Sequence, residues 1–363
     1  YSAALERGFT TATLVNDAPI VFEDSELERT WKPQNFSEKF YGPTRLREAM
    51  VNSRNLVSIR LLREIGIDYA REYISRFGLA PEELPANLSM ALGSASLKPL
   101  SIARGYAVFA NGGYLVDPEY IREIRNADDK VIYRTEPLIL CDDCKEETAV
   151  FATVSEEEEA TEPELRRLEV RVGDEYEGES DEAIAERIAR LTSSETKSPY
   201  APRAISEQNA YLVRSMMMDV VRRGTGKRAM ELGRTDLAGK TGTTNEQRDA
   251  WFSGFNDHLV TTVWVGFDDF QELGRNDVGG RAALPIWIHY MGKALAGVED
   301  RQPEMPEGLA QARIDPETGL LATLDNSDAI LEVFESGRLP PTQPQAQGGL
   351  KDVATEENPY EIY

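Results

Sequence analysis

The residues in this chain best suited to chemistry are Lys240-Thr241-Gly242-Thr243-Thr244. A cation, a glycine and three hydroxyls stand together at the start of what reads as a strand. Runs rich in Trp, Phe, Val and Thr follow over 249–255 and 259–267, with the turn residues Gly254, Asn256 and Asp257 between them. That composition predicts adjacent antiparallel strands. A glycine on an exposed edge lets another extended backbone approach, so a peptide could add as an extra strand recognised through main-chain hydrogen bonds. Thr241 and Thr243 offer hydroxyls to a carboxylate, and Lys240 supplies positive potential that tunes a nearby nucleophile. Taken alone, the stretch also fits a glycine-containing turn that enters a hairpin beside a solvated lysine.

Ser53 and Asn55 are the second pair of interest. Gly42-Pro43-Thr44 launches a helical pattern with Leu46, Ala49 and Met50 on one face, and Asn52-Ser53-Arg54-Asn55 interrupts it. A second run follows with Leu56, Ile59, Leu62 and Ile65 at helical spacing, then a third helix over 70–77. The pair thus sits at a helix-to-helix junction in a helical lobe. By themselves they are ordinary caps and turn formers.

These elements are set in a chain of 363 residues, long enough for two domains or for one with a large insertion. The net charge of −23 argues against a nucleic-acid or anionic-membrane footprint. Between Cys141 and Arg190 there are 18 acidic and 6 basic residues, so about half the excess belongs to one segment, whose composition reads as a solvated loop. No stretch approaches the ~18 apolar residues needed to cross a bilayer, and the start carries no signal-peptide pattern. The chain opens at Tyr1 without an initiator Met, as a soluble piece of something longer would. Cys141 and Cys144, the only cysteines, are a poor zinc candidate without a second pair; a loop disulfide and two free thiols both remain open.

Further along, 92–108 reads as helix-bearing, and short strands follow over 120–124 and 131–134. Ser206 caps a helix running through Met216 to Val221, and a last amphipathic helix over 284–295 carries Trp287 and Tyr290. The tail beyond Asp325, with Pro340, Pro341 and Pro344, reads as a flexible linker.

Ser-x-Asn in a helical lobe and, 187 residues later, Lys-Thr-Gly on a strand are two motifs of penicillin-binding proteins and class A β-lactamases. The flanks agree: 42–78, 92–113 and 238–269 resemble the transpeptidase domain of class A high-molecular-weight penicillin-binding proteins, 1a type. The resemblance covers most of 1–125 and 200–322. It implies an α/β serine DD-peptidase/β-lactamase-like fold, an antiparallel sheet flanked by helices plus a helical lobe. Residues 1–115 would form its first part and 201–325 its second, split by an acidic insertion (116–200, mainly β or disordered) and followed by a tail (326–363).

The implied activity is D-Ala-D-Ala transpeptidation through a serine ester. Ser53 would relay protons, Asn55 would hold the donor amide and Lys240 would keep the site electropositive. The Thr243 N–H would form half of an oxyanion hole. Thr241 and Thr243 would hold the terminal carboxylate beside Gly242 and Thr244. The implied partners are peptidoglycan stem peptides and β-lactams, with no metal or cofactor. The full-length protein would sit at the periplasmic face of the inner membrane through an anchor absent from this chain. The nucleophile of the family's Ser-x-x-Lys should precede Ser-x-Asn. The only Ser-x-x-Lys here, Ser194 to Lys197, follows it within the acidic segment and reads as a decoy, so the acylated serine is expected upstream of Tyr1. A DD-carboxypeptidase, a β-lactamase of the same fold and a non-enzymatic penicillin-sensing domain are the alternatives.

Overall fold

Apolar spacing builds the helical part of the molecule. In the computed structural model, which describes residues 1–24, 29–140, 200–244, 247–274, 276–342 and 361–362, seven α-helices are formed among the described residues. They are α1 (Ser2–Glu6), α2 (Leu46–Val51), α3 (Asn55–Ile65), α4 (Ile67–Ser75), α5 (Pro99–Ala110), α6 (Glu207–Arg223) and α7 (Ala283–Ala294). α4 starts three residues before its predicted position, directly after Gly66, whose φ of +89° ends α3 at a cost that only glycine avoids.

α6 is the central helix. Its N-terminus is capped as expected, with the Asn209 N–H donating to Ser206 Oγ at 3.1 Å. Leu212, Val213, Met216, Met217 and Val220 are buried along it. The Asn209 side chain is fully buried and joins α6 to α1, accepting from Ser2 Oγ at 2.7 Å and donating to the Ser2 carbonyl at 3.0 Å. A buried amide with its donors and acceptor met in this way fixes the register between two helices.

Around these helices run β1 (Leu14–Asp17), β2 (Phe22–Asp24), β3 (Arg29–Trp31) and β4 (Gly42–Arg45) in the first part of the chain. β5 (Glu123–Arg125) and β6 (Val131–Arg134) follow. β7 (Ala238–Thr243), β8 (Asp249–Phe255), β9 (Val260–Gly266), β10 (Leu309–Ile314), β11 (Ile330–Glu335) and β12 (Glu361–Ile362) complete the set. The predicted strand and hairpin are β7, β8 and β9, an antiparallel meander in the order β7-β8-β9 with β7 at the edge.

Side chains alternate across this meander. Phe252 packs edge-on against the fully buried Trp287 of α7 at 4.9 Å, and the Trp287 Nε1–H donates to the Thr261 carbonyl. Burying each such ring contributes roughly 1.5–3 kcal/mol. The opposite face carries Ala238 and Phe255, which are buried against Met216, Met217 and Val220 of α6. The sheet is therefore clamped between α6 and α7.

The chain divides into two units, 1–115 with 204–363, and 116–203. In the smaller unit β5 and β6 form an antiparallel hairpin, on which Arg125 and Arg134 both pair with Glu123. Cys141, Cys144, Ser194 and the segment 141–199 lie outside the described residues.

The expected flexible tail is corrected in part. Ile330–Glu335 is β11, in antiparallel register with β10 from Leu309↔Glu335 to Ile314↔Ile330. Phe334 is buried, and Glu332 is 2% exposed and bound by Arg47 of α2. Proline content beyond 339 suggested a linker, but the alternation Ile330, Glu332, Phe334 is that of a strand whose inward carboxylate has a buried cation to meet.

Candidate active site

The junction between α2 and α3 is shaped by a helix C-cap. The Arg54 N–H donates to the Ala49 carbonyl at 2.8 Å and the Ser53 N–H to the Met50 carbonyl at 3.2 Å. This is a Schellman pattern that places Ser53 at the left-handed position usually held by glycine. Ser53 has φ +53°, a conformation that costs a serine about 1 kcal/mol. The bend aims Ser53 Oγ across at β7, where Lys240 Nζ donates to it at 2.8 Å and to the Thr241 carbonyl at 2.9 Å. Two residues 187 positions apart are thereby joined, one from the helices and one from the sheet.

Lys240 is half-buried, but its ammonium end is stripped of water, and burial pushes its pKa down to about 8. Beside it lies a largely apolar cavity of about 390 Å³, walled by Met50, Leu61, Phe77, Ile102, Tyr106 and Met217. Ser58 also borders the cavity, but its hydroxyl is engaged with Tyr1 Oη and the Arg54 carbonyl.

The other motif residues divide by strand face. Thr241 and Thr243 point away from Lys240. Thr241 Oγ1 shares a hydrogen bond with Thr225 Oγ1 at 2.7 Å, and Thr243 Oγ1 accepts from the Gly279 N–H at 3.1 Å, keeping its own proton to donate. Gly279 passes so close to Gly242 that a Cβ on it would stand 2.4 Å from the Gly242 carbonyl oxygen. Thr244 Oγ1 accepts from the N–H groups of Arg248 and Asp249 and so closes the β7–β8 turn.

Asn55 opens α3, with its Nδ2 on the Gln34 carbonyl at 2.9 Å. Neither it nor Ser53 caps that helix through its side chain. The cap is Asn35, whose Oδ1 accepts from the N–H groups of Asn55 and Leu56 while its Nδ2 donates to both oxygens of Asp17. Sequence reading missed Asn35, Thr225 and Gly279. They act from separate loops, and no local spacing links them to the motifs they support. Arg54, between the two motif residues, lies over the Tyr41 ring at 3.3 Å from its centroid. With the Ser37 hydroxyl, that guanidinium holds the exposed Tyr41 phenol below its ordinary pKa.

Residues 1–268 match the family model described as the penicillin-binding protein transpeptidase domain. The chain is 45% identical over 343 residues to penicillin-binding protein 1A of Pseudomonas aeruginosa, covering 94% of this chain and 40% of that protein. It is 38% identical to penicillin-binding protein 1A of Vibrio cholerae, with the same coverage of each. It also superposes on the crystal structure of penicillin-binding protein 1A from Haemophilus influenzae with a TM-score of 0.76 and 34% identity, over 95% of this chain and 48% of that one. The chain thus spans about two fifths of the length of the curated relatives it matches. The helical lobe and flanked antiparallel sheet are the serine DD-peptidase/β-lactamase-like fold. By its motifs, its fold and its match over 1–268, this chain belongs to the penicillin-binding protein transpeptidase family.

Proposed function

We propose that this chain is the acyl-transfer unit of a peptidoglycan DD-transpeptidase that β-lactams inhibit. The observation that carries the proposal is the 2.8 Å bond from Lys240 Nζ to Ser53 Oγ beside the edge of β7, which among the described residues pairs only with β8. A donor peptide adds to that edge antiparallel to β7. Its acyl carbonyl lies at the Thr243 N–H, its terminal carboxylate toward Thr241, Thr243 and Lys240, and its amide toward Asn55.

The nucleophile is a serine from outside the described residues, upstream of Tyr1. Its oxygen attacks the carbonyl between the two D-alanines, the ester C–O bond forms and the C–N bond breaks. The hydroxyl proton passes by way of Ser53 to the leaving amine of D-alanine. An acceptor amine then attacks the ester, and the serine recovers a proton as the new amide forms. Lys240, protonated below about pH 8, holds Ser53 Oγ in line and offsets the charge that develops on the carbonyl oxygen. A penicillin acylates the same serine. The full-length protein acts at the periplasmic face of the inner membrane.

The test is to label the full-length protein with a fluorescent penicillin and locate the adduct by mass spectrometry. A peptide preceding Tyr1 is the expected site. An adduct on Ser53, Ser58, Ser194 or any other serine of this chain would overturn the assignment.

A further inference from the structure

The loop over 34–41 reaches the Ser-x-Asn turn from outside the motifs and holds both residues that follow Ser53. The Gln34 carbonyl takes the Asn55 Nδ2–H at 2.9 Å, which leaves Asn55 Oδ1 without a hydrogen bond among the described residues. Asn35 Oδ1 accepts the backbone N–H of Asn55 at 2.8 Å and that of Leu56 at 3.4 Å. The Tyr41 ring underlies the Arg54 guanidinium.

Asn35 can do this in one orientation of its amide only. Its Nδ2 donates to Asp17 Oδ1 at 2.7 Å, to Asp17 Oδ2 at 2.9 Å and to the Lys39 carbonyl at 2.9 Å. All three are acceptors, so turning the amide over would set its oxygen against them and its NH2 against two N–H groups. Asn35 and Asp17 are both buried, where an unmet donor or acceptor is costly. Asp17 ends β1 opposite Gly42 of β4, and its carbonyl accepts the Tyr41 N–H at 3.2 Å. The carboxylate that fixes the amide is thus itself fixed beside the strand that leads into α2.

Folding alone does not explain a carboxylate in this place. Burial pushes the Asp17 carboxyl above its ordinary pKa, against the Asn35 hydrogen bonds and the fields of Arg54 and Arg60. Neither arginine pairs with it among the described residues. Arg60 Nη2 donates to the Ala18 and Pro19 carbonyls, and Arg54 lies over Tyr41. The Tyr1 phenol nearby is kept neutral by burial. An ionised Asp17 therefore costs stability at neutral pH, while it gives Asn35 its one orientation.

We propose that Asp17 and Asn35 are positioning residues for acyl transfer: the buried carboxylate orients the Asn35 amide, and that amide places Asn55 so that its free Oδ1 can meet the amide N–H of the acyl donor. That role rests on the reading of this chain as an acyl-transfer unit.

The test follows acylation of the full-length protein by a fluorescent penicillin, together with thermal unfolding, in two variants. Asp17→Asn keeps the size and removes the charge. At neutral pH it should melt no earlier than wild type, because a penalised charge is gone. It should nevertheless acylate about ten- to a hundredfold more slowly, because its own NH2 admits both orientations of Asn35. Asn35→Asp sets two carboxylates together, and in acid they share a proton that donates to Asp17 as Nδ2 does. Its acylation rate relative to wild type should therefore rise as pH is lowered from about 8 to about 5. Asp17→Asn acylating at the wild-type rate, or slowly but with an early melt, overturns the positioning role. A rate ratio for Asn35→Asp that stays flat across that range does so as well, whatever its melting temperature does. Wild-type protein that takes no label overturns the acyl-transfer reading and the positioning role with it, whereas a labelled wild type with unaffected variants overturns the positioning role alone.

Discussion

Ser53 and Lys240 each carry a local cost that the site turns to use. Ser53 occupies a left-handed position that favours glycine, so Ser53→Gly and Ser53→Ala should separate stability from chemistry. Both should lose penicillin acylation, but urea unfolding should find the glycine variant more stable than the alanine variant by up to about 1 kcal/mol. For Lys240, burial lowers the pKa from 10.5 to about 8. Below about pH 8 the folded protein holds a charge that burial penalises. As pH rises from 8 toward 10.5 the unfolded chain still binds that proton while the folded one does not, so stability attributable to this group increases over that window. Lys240→Met should accordingly raise the melting temperature at pH 7, with a smaller gain near pH 10. Penicillin acylation by the wild type should decline as pH passes upward through about 8, and Lys240→Ala should lower it roughly 10²–10⁴-fold. Labelling of Lys240→Ala at the wild-type rate would remove the lysine from the mechanism. Both residues were legible in the sequence because each stands in a short motif. Asn35 was not, because it caps α3 from 20 residues away.

At the scale of elements, the strongest tie to the site is α2, only six residues long. Arg47 at its start donates from Nε to both oxygens of Glu332 and from Nη2 to Oε1, while Nη1 pairs with Asp219 at 3.2 Å. Removing Glu332 leaves Arg47 with Asp219 as its one carboxylate and also takes a partner from Arg45, a loss that approaches the roughly 3–5 kcal/mol of a broken buried pair. Glu332→Ala should therefore destabilise by that order in thermal or urea unfolding, and Arg47→Met combined with Glu332→Leu should recover much of the loss. A melting curve for Glu332→Ala that overlays the wild type would show that β11 is not held this way. The meander was foreseeable from Trp-, Val- and Thr-rich runs around turn residues. β11 was not, since three prolines over 340–344 dominated the reading of the tail, while the partner of its inward carboxylate lies 285 residues earlier.

For the molecule as a whole, the division at 116–203 sets a test of what the acyl-transfer unit needs. Unit 1–115 with 204–363 contains α1 to α7 and the β7-β8-β9 sheet, with its own buried clusters. Replacing 142–198 by a short Gly/Ser linker should leave penicillin labelling of the full-length protein at wild-type rate. Loss of labelling together with loss of a cooperative unfolding transition would mean that the acidic segment belongs to the core. The bulk charge was informative here only by its uneven distribution. A total of −23 says little about fold, whereas 18 acidic residues against 6 within 50 positions single out one segment of the chain.

α2 has consequences beyond folding. Ser53 hangs from one end of a helix less than two turns long, and the other end is moored to β11 by Arg47 and Glu332. On the proposed acyl-transfer reading, a change near residue 332 would be expected to shift Ser53 Oγ without altering either motif. Resistance surveys confined to the motif residues would overlook such lesions. They would appear as strains with an intact Ser-x-Asn and Lys-Thr-Gly, slower acylation by every β-lactam alike and a protein that melts early.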